Sequence, residues 1–216
     1  MKYQKINTIF KRDMEKPGNP IIEGDFACPE FYYLKNNIWE WSEKVNGTNI
    51  RVILNKDDIE FRGKTDNAQL SAKLIKRLHQ VFYTHHERIK DVLGLMEDDA
   101  AKVIIYGEGY GAGIAKGGGN YSQEQDFVIF DIRIGNWWLK WEDVSDVSGH
   151  IDICAVPIIG RGTLSELVEF VKPGFQSQWG NFQAEGIVAR PSVQLFDRKG
   201  ERIITKLKCK DFTNEG

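Results

Sequence analysis

The chain lacks most of what would mark a membrane, secreted or metal-built protein. No apolar run approaches the ~20 residues of a membrane span, and Met1 leads into a polar start with no apolar signal core. There are three cysteines, Cys28, Cys154 and Cys209, far apart and odd in number. They give neither a disulfide framework nor a zinc or redox spacing, so a reducing compartment and a cytoplasmic location are expected. The four histidines offer no ligand spacing either; His85-His86 reads as a solvated pair near a helix end. Neither a dinucleotide fingerprint nor a P-loop can be read anywhere. An excess of positive charge is also missing: 29 basic against 31 acidic residues leave a formal charge of −2. No broad field would draw nucleic acid in, so any such contact has to come from local clusters. Internal repeats and low-complexity linkers are absent.

What is present is an ordinary globular balance, 41% hydrophobic and 28% charged over 216 residues. A chain of this length buries roughly 70% of its unfolded surface and needs no staples. A single domain over residues 1–216 is expected, with no separate carboxy-terminal nucleic-acid-binding domain. The segment before Asn37 reads as loop-rich, broken by Pro17-Gly18-Asn19-Pro20. Strands are predicted at 38–43, 48–54 and 59–61, the last two joined through Asn55-Lys56-Asp57-Asp58. Leu70, Leu74, Leu78 and Phe82, with Ile75, recur at helical spacing, and a short helix follows through Ile89, Val92 and Leu93. Strands return at 102–108 and 127–134, with a Gly135-Asn136 hairpin turn before Trp137 and Trp138. Those tryptophans and Trp141 read as core and sheet-face residues. Thr163 with Glu166 forms a capping box for a helix carrying Leu164, Leu167, Val168 and Val171. Two last strands, 186–190 and 202–208, meet through Asp197-Arg198-Lys199-Gly200. Recurrent hairpins with helices in blocks predict an α+β fold of largely antiparallel sheets with flanking helices.

Several short segments carry chemistry. In Glu43-Lys44-Val45-Asn46-Gly47-Thr48-Asn49 a lysine sits between two strands with a glycine three positions on. A lysine attacks phosphorus only as the neutral amine, so its usual pKa of ~10.4 has to fall through burial or neighbouring positive charge. Gly47 allows a tight turn and close approach of a nucleotide. This spacing recurs by chance, and alone it describes a hairpin lysine with no chemistry better than a nucleophile. Tyr106-Gly107-Glu108-Gly109-Tyr110-Gly111 puts a carboxylate at a strand end among glycines, able to accept from ribose hydroxyls, or merely a solvated Glu in a loop. Phe127-Val128-Ile129-Phe130-Asp131-Ile132 is a strand with an aromatic able to stack on a base, or a core strand. Glu185-Gly186-Ile187-Val188 offers another strand-borne carboxylate. In Lys206-Leu207-Lys208 the alternation turns both lysines to one face, as a solvated edge or a phosphate clamp.

Taken in order, these segments resemble the covalent nucleotidyltransferase superfamily of polynucleotide ligases and mRNA capping enzymes, and most closely the RNA ligase 2 family. Gly117-Gly118-Gly119-Asn120-Tyr121, Pro157-Ile158-Ile159-Gly160-Arg161-Gly162, and Phe212 after the lysine pair support the narrower match. The resemblance runs from about Glu43 to Phe212, and as a set it is specific although each piece is not. It implies the adenylation-domain fold of ligases and an ATP-dependent RNA ligase. AMP would be carried on Lys44, passed to an RNA 5′-phosphate and displaced by a 3′-hydroxyl. Glu43 and Val45 would lie beside the adenine through backbone groups. Glu108 would hold the ribose, and Phe130 would stack on the base, with Asp131 next to it. Asn49 and Glu185 would place Mg²⁺ or Mn²⁺, while Lys206 and Lys208 would contact the α-phosphate. The family's arginine after the lysine hairpin falls where this chain reads Phe61-Arg62-Gly63-Lys64-Thr65-Asp66-Asn67. Lys64 aligns best, and Arg62 is two residues away; a lysine lacks the bidentate fork of arginine.

The implied partners are RNA ends in a nicked duplex and, for grip on the RNA, a separate nucleic-acid-binding protein; no membrane is implied, and oligomeric state is not readable. A DNA ligase, a guanylyltransferase and a non-catalytic module binding nucleic-acid ends are the alternatives.

Overall fold

The computed structural model describes residues 2–95 and 102–212. In chain order the strands and helices are β1 (Asn7–Thr8), β2 (Phe10–Arg12), β3 (Ile21–Phe26), α1 (Pro29–Tyr33), β4 (Trp39–Glu43), β5 (Thr48–Leu54) and β6 (Ile59–Gly63). There follow α2 (Ala72–Thr84), α3 (His86–Val92), β7 (Val103–Tyr110), β8 (Asp126–Ile134), β9 (Trp137–Trp138) and α4 (Trp141–Ile151). The chain ends with β10 (Ile158–Gly162), α5 (Leu164–Val171), β11 (Gly186–Pro191) and β12 (Thr205–Lys208). Two compact units result: Met1–Tyr3 with Asn46–Val156, and Gln4–Val45 with Pro157–Gly216.

The Asn46–Val156 unit is built on a sheet of order β6-β5-β7-β8-β9, antiparallel throughout. The turn between β5 and β6 forms because the Asn55 side chain accepts from the N–H groups of Asp57 and Asp58, the local bonding that makes Asn a turn residue. Alternation along β5 sends Ile50, Val52 and Leu54 to one face. α2 and α4 pack against β8, and α2 buries Leu74, Leu78 and Phe82, each contributing roughly 1.5–3 kcal/mol of apolar burial. α2 starts where Ser71 Oγ accepts from the Leu74 N–H; Leu70 therefore lies outside the helix, and Ile75 is exposed. The sequence pattern gives no sign of α4. Its buried positions Trp141, Val144, Ser148 and Ile151 are set among Glu142, Asp143, Ser145, Asp146 and Gly149, too polar a segment for a clear stripe.

The second unit has a sheet of order β1-β12-β11-β4-β10, antiparallel except for the parallel β1–β12 pair, and a separate β2–β3 hairpin. Trp39, Trp41, Ile187, Ala189 and Leu207 bury one face against Leu164, Leu167, Val168 and Val171 of α5. α5 begins with the predicted box: Thr163 Oγ1 accepts from the Glu166 N–H, and Glu166 accepts from the Thr163 N–H. The amino-terminal segment is more ordered than its loop-like composition indicates. Its strands are two to six residues long; β2 and β3 pair with each other, whereas β1 owes its conformation to β12, far along the chain. The antiparallel α+β architecture expected from the sequence is observed.

Candidate active site

Six of the residues singled out in the sequence, Glu43, Lys44, Val45, Glu185, Lys206 and Lys208, lie in the Gln4–Val45/Pro157–Gly216 unit; Asn49, Arg62, Lys64, Glu108 and Phe130 lie in the other.

In the first group the strand order does the gathering. β4, β11 and β12 are adjacent and antiparallel, so the end of β4, the start of β11 and the end of β12 fall at one end of the sheet. Lys44 follows β4 directly, its N–H donating to Gly186 O at 2.8 Å, and the Cys209 N–H donates to Glu185 O at 3.0 Å. Glu185 thus has a strand end on either side, and its carboxylate bridges them. Lys44 Nζ donates to Oε2 at 2.5 Å and Lys208 Nζ to Oε1 at 2.6 Å. These three side chains are 16–25% exposed, reachable by a ligand yet partly withdrawn from water. Burial pushes the Glu185 carboxyl up, but the charges and hydrogen bonds of Lys44 and Lys208 outweigh it and hold the group below the usual carboxylate range. Gly186, at φ 151°, is required by this convergence: a Cβ there would meet Leu207 O at 2.1 Å and Lys208 Cα at 2.6 Å, both backbone. Lys206 and Lys208 share a face, as their alternation predicts, and the intervening Leu207 is fully buried in the core.

Glu43 holds what the sequence did not disclose. Its side chain is 2% exposed and accepts from Ser177 Oγ at 2.6 Å and from the Gln178 N–H at 2.7 Å. Burial raises its pKa, and the two hydrogen bonds offset this only in part. The carboxylate fixes the 174–183 turn beside the strand that delivers Lys44. Val45 is buried.

In the Asn46–Val156 unit, Asn49 and Glu108 are directly paired across β5 and β7 and so point to the same face. Asn49 Oδ1 is buried without a hydrogen-bond partner, an oxygen acceptor of the kind that a hard cation or its water takes. Phe130 is the extra residue of a bulge in β8: Tyr106 pairs with Asp131 and Gly107 with Ile129. A bulge re-aims its side chain, and the Phe130 ring joins a cluster with Ile53, Ile104, Tyr106, Tyr3 and Trp138. Tyr3 meets it edge-on at 5.1 Å and donates to Asp131 at 2.8 Å. Gly47 lies against β7, where a Cβ would meet Gly109 O at 2.1 Å, so the K-x-x-G glycine is demanded by close backbone approach. Arg62 is tied to Glu60 and Asp66, whereas Lys64 is exposed on the turn after β6 and has no ion pair among the described residues. Of the tryptophans read as core and sheet-face residues, Trp141 is buried, and Trp137, on the edge strand β9, is 79% exposed.

Among the described residues no three His, Cys, Asp or Glu side chains gather as a metal cage. Mg²⁺ bound with substrate phosphates needs only one or two protein oxygens. Asn49, with its unpartnered acceptor, and Glu185, once an ammonium moves aside, are each suited to supply one.

The antiparallel α+β fold is one shared with solved RNA ligase structures. The RNA ligase family model matches residues 37–208, and the chain belongs to that family. Among solved structures it is similar to Naegleria gruberi RNA ligase. A variant of that enzyme with ATP and Mn aligns at TM-score 0.63 and 15% identity, covering 96% of this chain and 61% of that one. A variant with AMP and Mn gives 0.62 and 17%, covering 83% and 52%. The form with PPi gives 0.58 and 19%, covering 83% and 52%. The chain thus spans about half to three-fifths of these relatives.

Proposed function

We propose that the protein is an ATP-dependent RNA ligase that works through AMP bound covalently to Lys44. The observation that carries this reading is the Lys44–Glu185–Lys208 cluster at one end of the sheet, within a chain of the RNA ligase family. Lys44 Nζ would attack the α-phosphorus of ATP, forming a P–N bond as the bond to pyrophosphate breaks. The ammonium paired with Glu185 has no lone pair, so Lys44 would first give up one proton, to Glu185 or to water, before it attacks. Lys206 and Lys208 would then meet the α-phosphate and stabilise the charge that builds on it, the main task in nucleotidyl transfer. A divalent metal bound with the phosphates would supply further charge neutralisation; Asn49 and Glu185 are the residues the family resemblance assigns to it. AMP would pass from Lys44 to the 5′-phosphate of an RNA end in a nicked duplex, and a 3′-hydroxyl would displace it. Glu108 and Phe130 are assigned to ribose and adenine, Glu43 and Val45 to the adenine edge through their backbone, and Lys64 rather than Arg62 to the family's arginine role. Support for the last assignment is that Arg62 is already engaged by two carboxylates. A separate nucleic-acid-binding partner and a cytoplasmic location are proposed as well.

Intact mass of the purified protein, with and without ATP and Mg²⁺, tests the proposal. An increment of one AMP, reversed by pyrophosphate, is expected. Attachment of GMP instead would make it a guanylyltransferase, and sealing only of DNA 3′-ends a DNA ligase. No adduct with any nucleotide would leave a binding module.

A further inference from the structure

Beyond the lysine cluster, the amino-terminal segment grips the strand that carries the lysine pair at both of its ends. At one end β1 pairs in parallel with β12, Thr8 opposite Lys206, and the Ile9 N–H donates to Lys206 O at 3.2 Å. At the other end the contact is ionic. Arg12 donates from one terminal nitrogen to Asp211 Oδ1 at 2.7 Å, and from the other to Asn19 O at 2.9 Å within its own hairpin. Asp211 is 3% exposed at its side chain, against 32% for Arg12. Its second oxygen, Oδ2, accepts from the Lys208 N–H at 3.0 Å. The carboxylate is therefore shared between the guanidinium and the main chain of the residue whose Nζ reaches Glu185 at 2.6 Å.

From this we infer that Arg12 and Asp211 are positioning residues for Lys208. Arg12 fixes the Asp211 carboxylate, Asp211 fixes the Lys208 main chain, and Lys208 is thereby aimed at Glu185 and the phosphate site beside Lys44. The physical basis is preorganisation: a cation that stabilises developing charge must be in place beforehand, and its own backbone is the cheapest part to hold. A simpler role is also consistent with the geometry, since an Asp at this position caps the short 3-10 turn Cys209–Asp211 and Arg12 could merely staple the hairpin to it. The two roles differ in what happens to Lys208 Nζ when Arg12 is lost. The consequence for catalysis rests on the function proposed above; the consequence for Lys208 itself does not.

The test uses the full chain and the variants Arg12→Ala, Arg12→Lys and Asp211→Asn. Lys11→Ala serves as the control, because Lys11 is paired with Asp25 on the exposed side of the same strand. Lysine amines are labelled with trace acetic anhydride, and Lys208 is read against exposed Lys64 by peptide mass spectrometry. Lys208 labelling should rise several-fold in Arg12→Ala and Asp211→Asn and stay unchanged in Lys11→Ala. In parallel, the single-turnover rate of AMP attachment at saturating ATP should fall roughly 10- to 100-fold, the scale set by a misplacement of about 1 Å. Half-saturation by ATP should move little, and Arg12→Lys should recover part of the rate, since it keeps the charge without the fork. Unchanged Lys208 labelling in folded Arg12→Ala and Asp211→Asn overturns the inference. So does a loss confined to ATP half-saturation, or an equal loss in Lys11→Ala. If the unaltered protein takes no AMP at all, the functional reading fails, and the labelling still decides whether Arg12 and Asp211 position Lys208. Asp211→Asn keeps side-chain volume and one acceptor, so it remains interpretable should Arg12→Ala fold poorly.

Discussion

Replacing Glu185 by Gln removes one negative charge from between two ammonium groups while keeping the shape. In the protein Oε2 accepts from Lys44 at 2.5 Å and Oε1 from Lys208 at 2.6 Å. A Gln side chain can accept from one of them, but its NH₂ then faces the other, leaving that ammonium unpartnered beside a like charge. Exposed pairs contribute up to about 1 kcal/mol, and breaking a fully buried one costs about 3–5 kcal/mol. At 16–25% side-chain exposure the cost should lie between, about 1–3 kcal/mol, or a Tm lower by roughly 3–10 °C for a chain of this size. The sign with pH follows from the lowered Glu185 pKa. A carboxyl depressed by folding contributes stability that is present above its unfolded value, about 4.3, and is lost as pH falls through the folded one. Urea midpoints for both proteins between about pH 8 and pH 3 should therefore show a constant gap down to the ordinary carboxylate range and a shrinking gap below it. A gap that persists undiminished at the acid end, or widens there, would refute the ion-pair account and reduce Glu185 to a packing residue. Loss of AMP attachment in the variant without this pH signature would indicate a role in chemistry alone.

Lys44→Ala should abolish covalent AMP attachment with the far-UV spectrum retained, since Glu185 keeps Lys208 as a partner when its pair with Lys44 is lost; an adduct persisting in this variant would move the nucleophile elsewhere. Gly186→Ala should cost about 1–3 kcal/mol or more in urea unfolding, because its Cβ meets backbone at 2.1 Å and neither strand can yield; an unchanged midpoint would show that the β11–β12 approach is looser than the structure has it. Phe130→Ala should weaken ATP binding by about 1–3 kcal/mol, the value of one base stack, as read by calorimetry; unchanged affinity in a folded variant would remove Phe130 from the base site.

Local signals are legible in the amino-acid sequence itself. The Asn55 turn, the α2 stripe and the Thr163–Glu166 box each depend on residues within a few positions of one another, so their physics is written into short windows of the chain. The same holds for the common face of Lys206 and Lys208, which period two fixes once the segment is a strand. The ordered motif set points to the family, and the family model covers the same stretch.

Other features have no local trace. β1 and β2 pair or bond with residues near the other end of the chain, and two- or three-residue strands carry no periodicity; tertiary partners alone make that loop-like segment a gripping element. α4 is hidden because tertiary burial selects four positions from a polar window. At the site, the sequence supplies a lysine, a glutamate and a lysine pair as separate carboxylate and ammonium groups. Adjacency of β4, β11 and β12 places Lys44, Glu185 and Lys208 within bonding distance, buries Glu43 against Ser177, and sets Asp211 between Arg12 and the Lys208 backbone. Residue identity determines which charges the protein has; long-range strand pairing decides which of them meet, because Coulomb and hydrogen-bond energies depend on distance in space and not on separation along the chain.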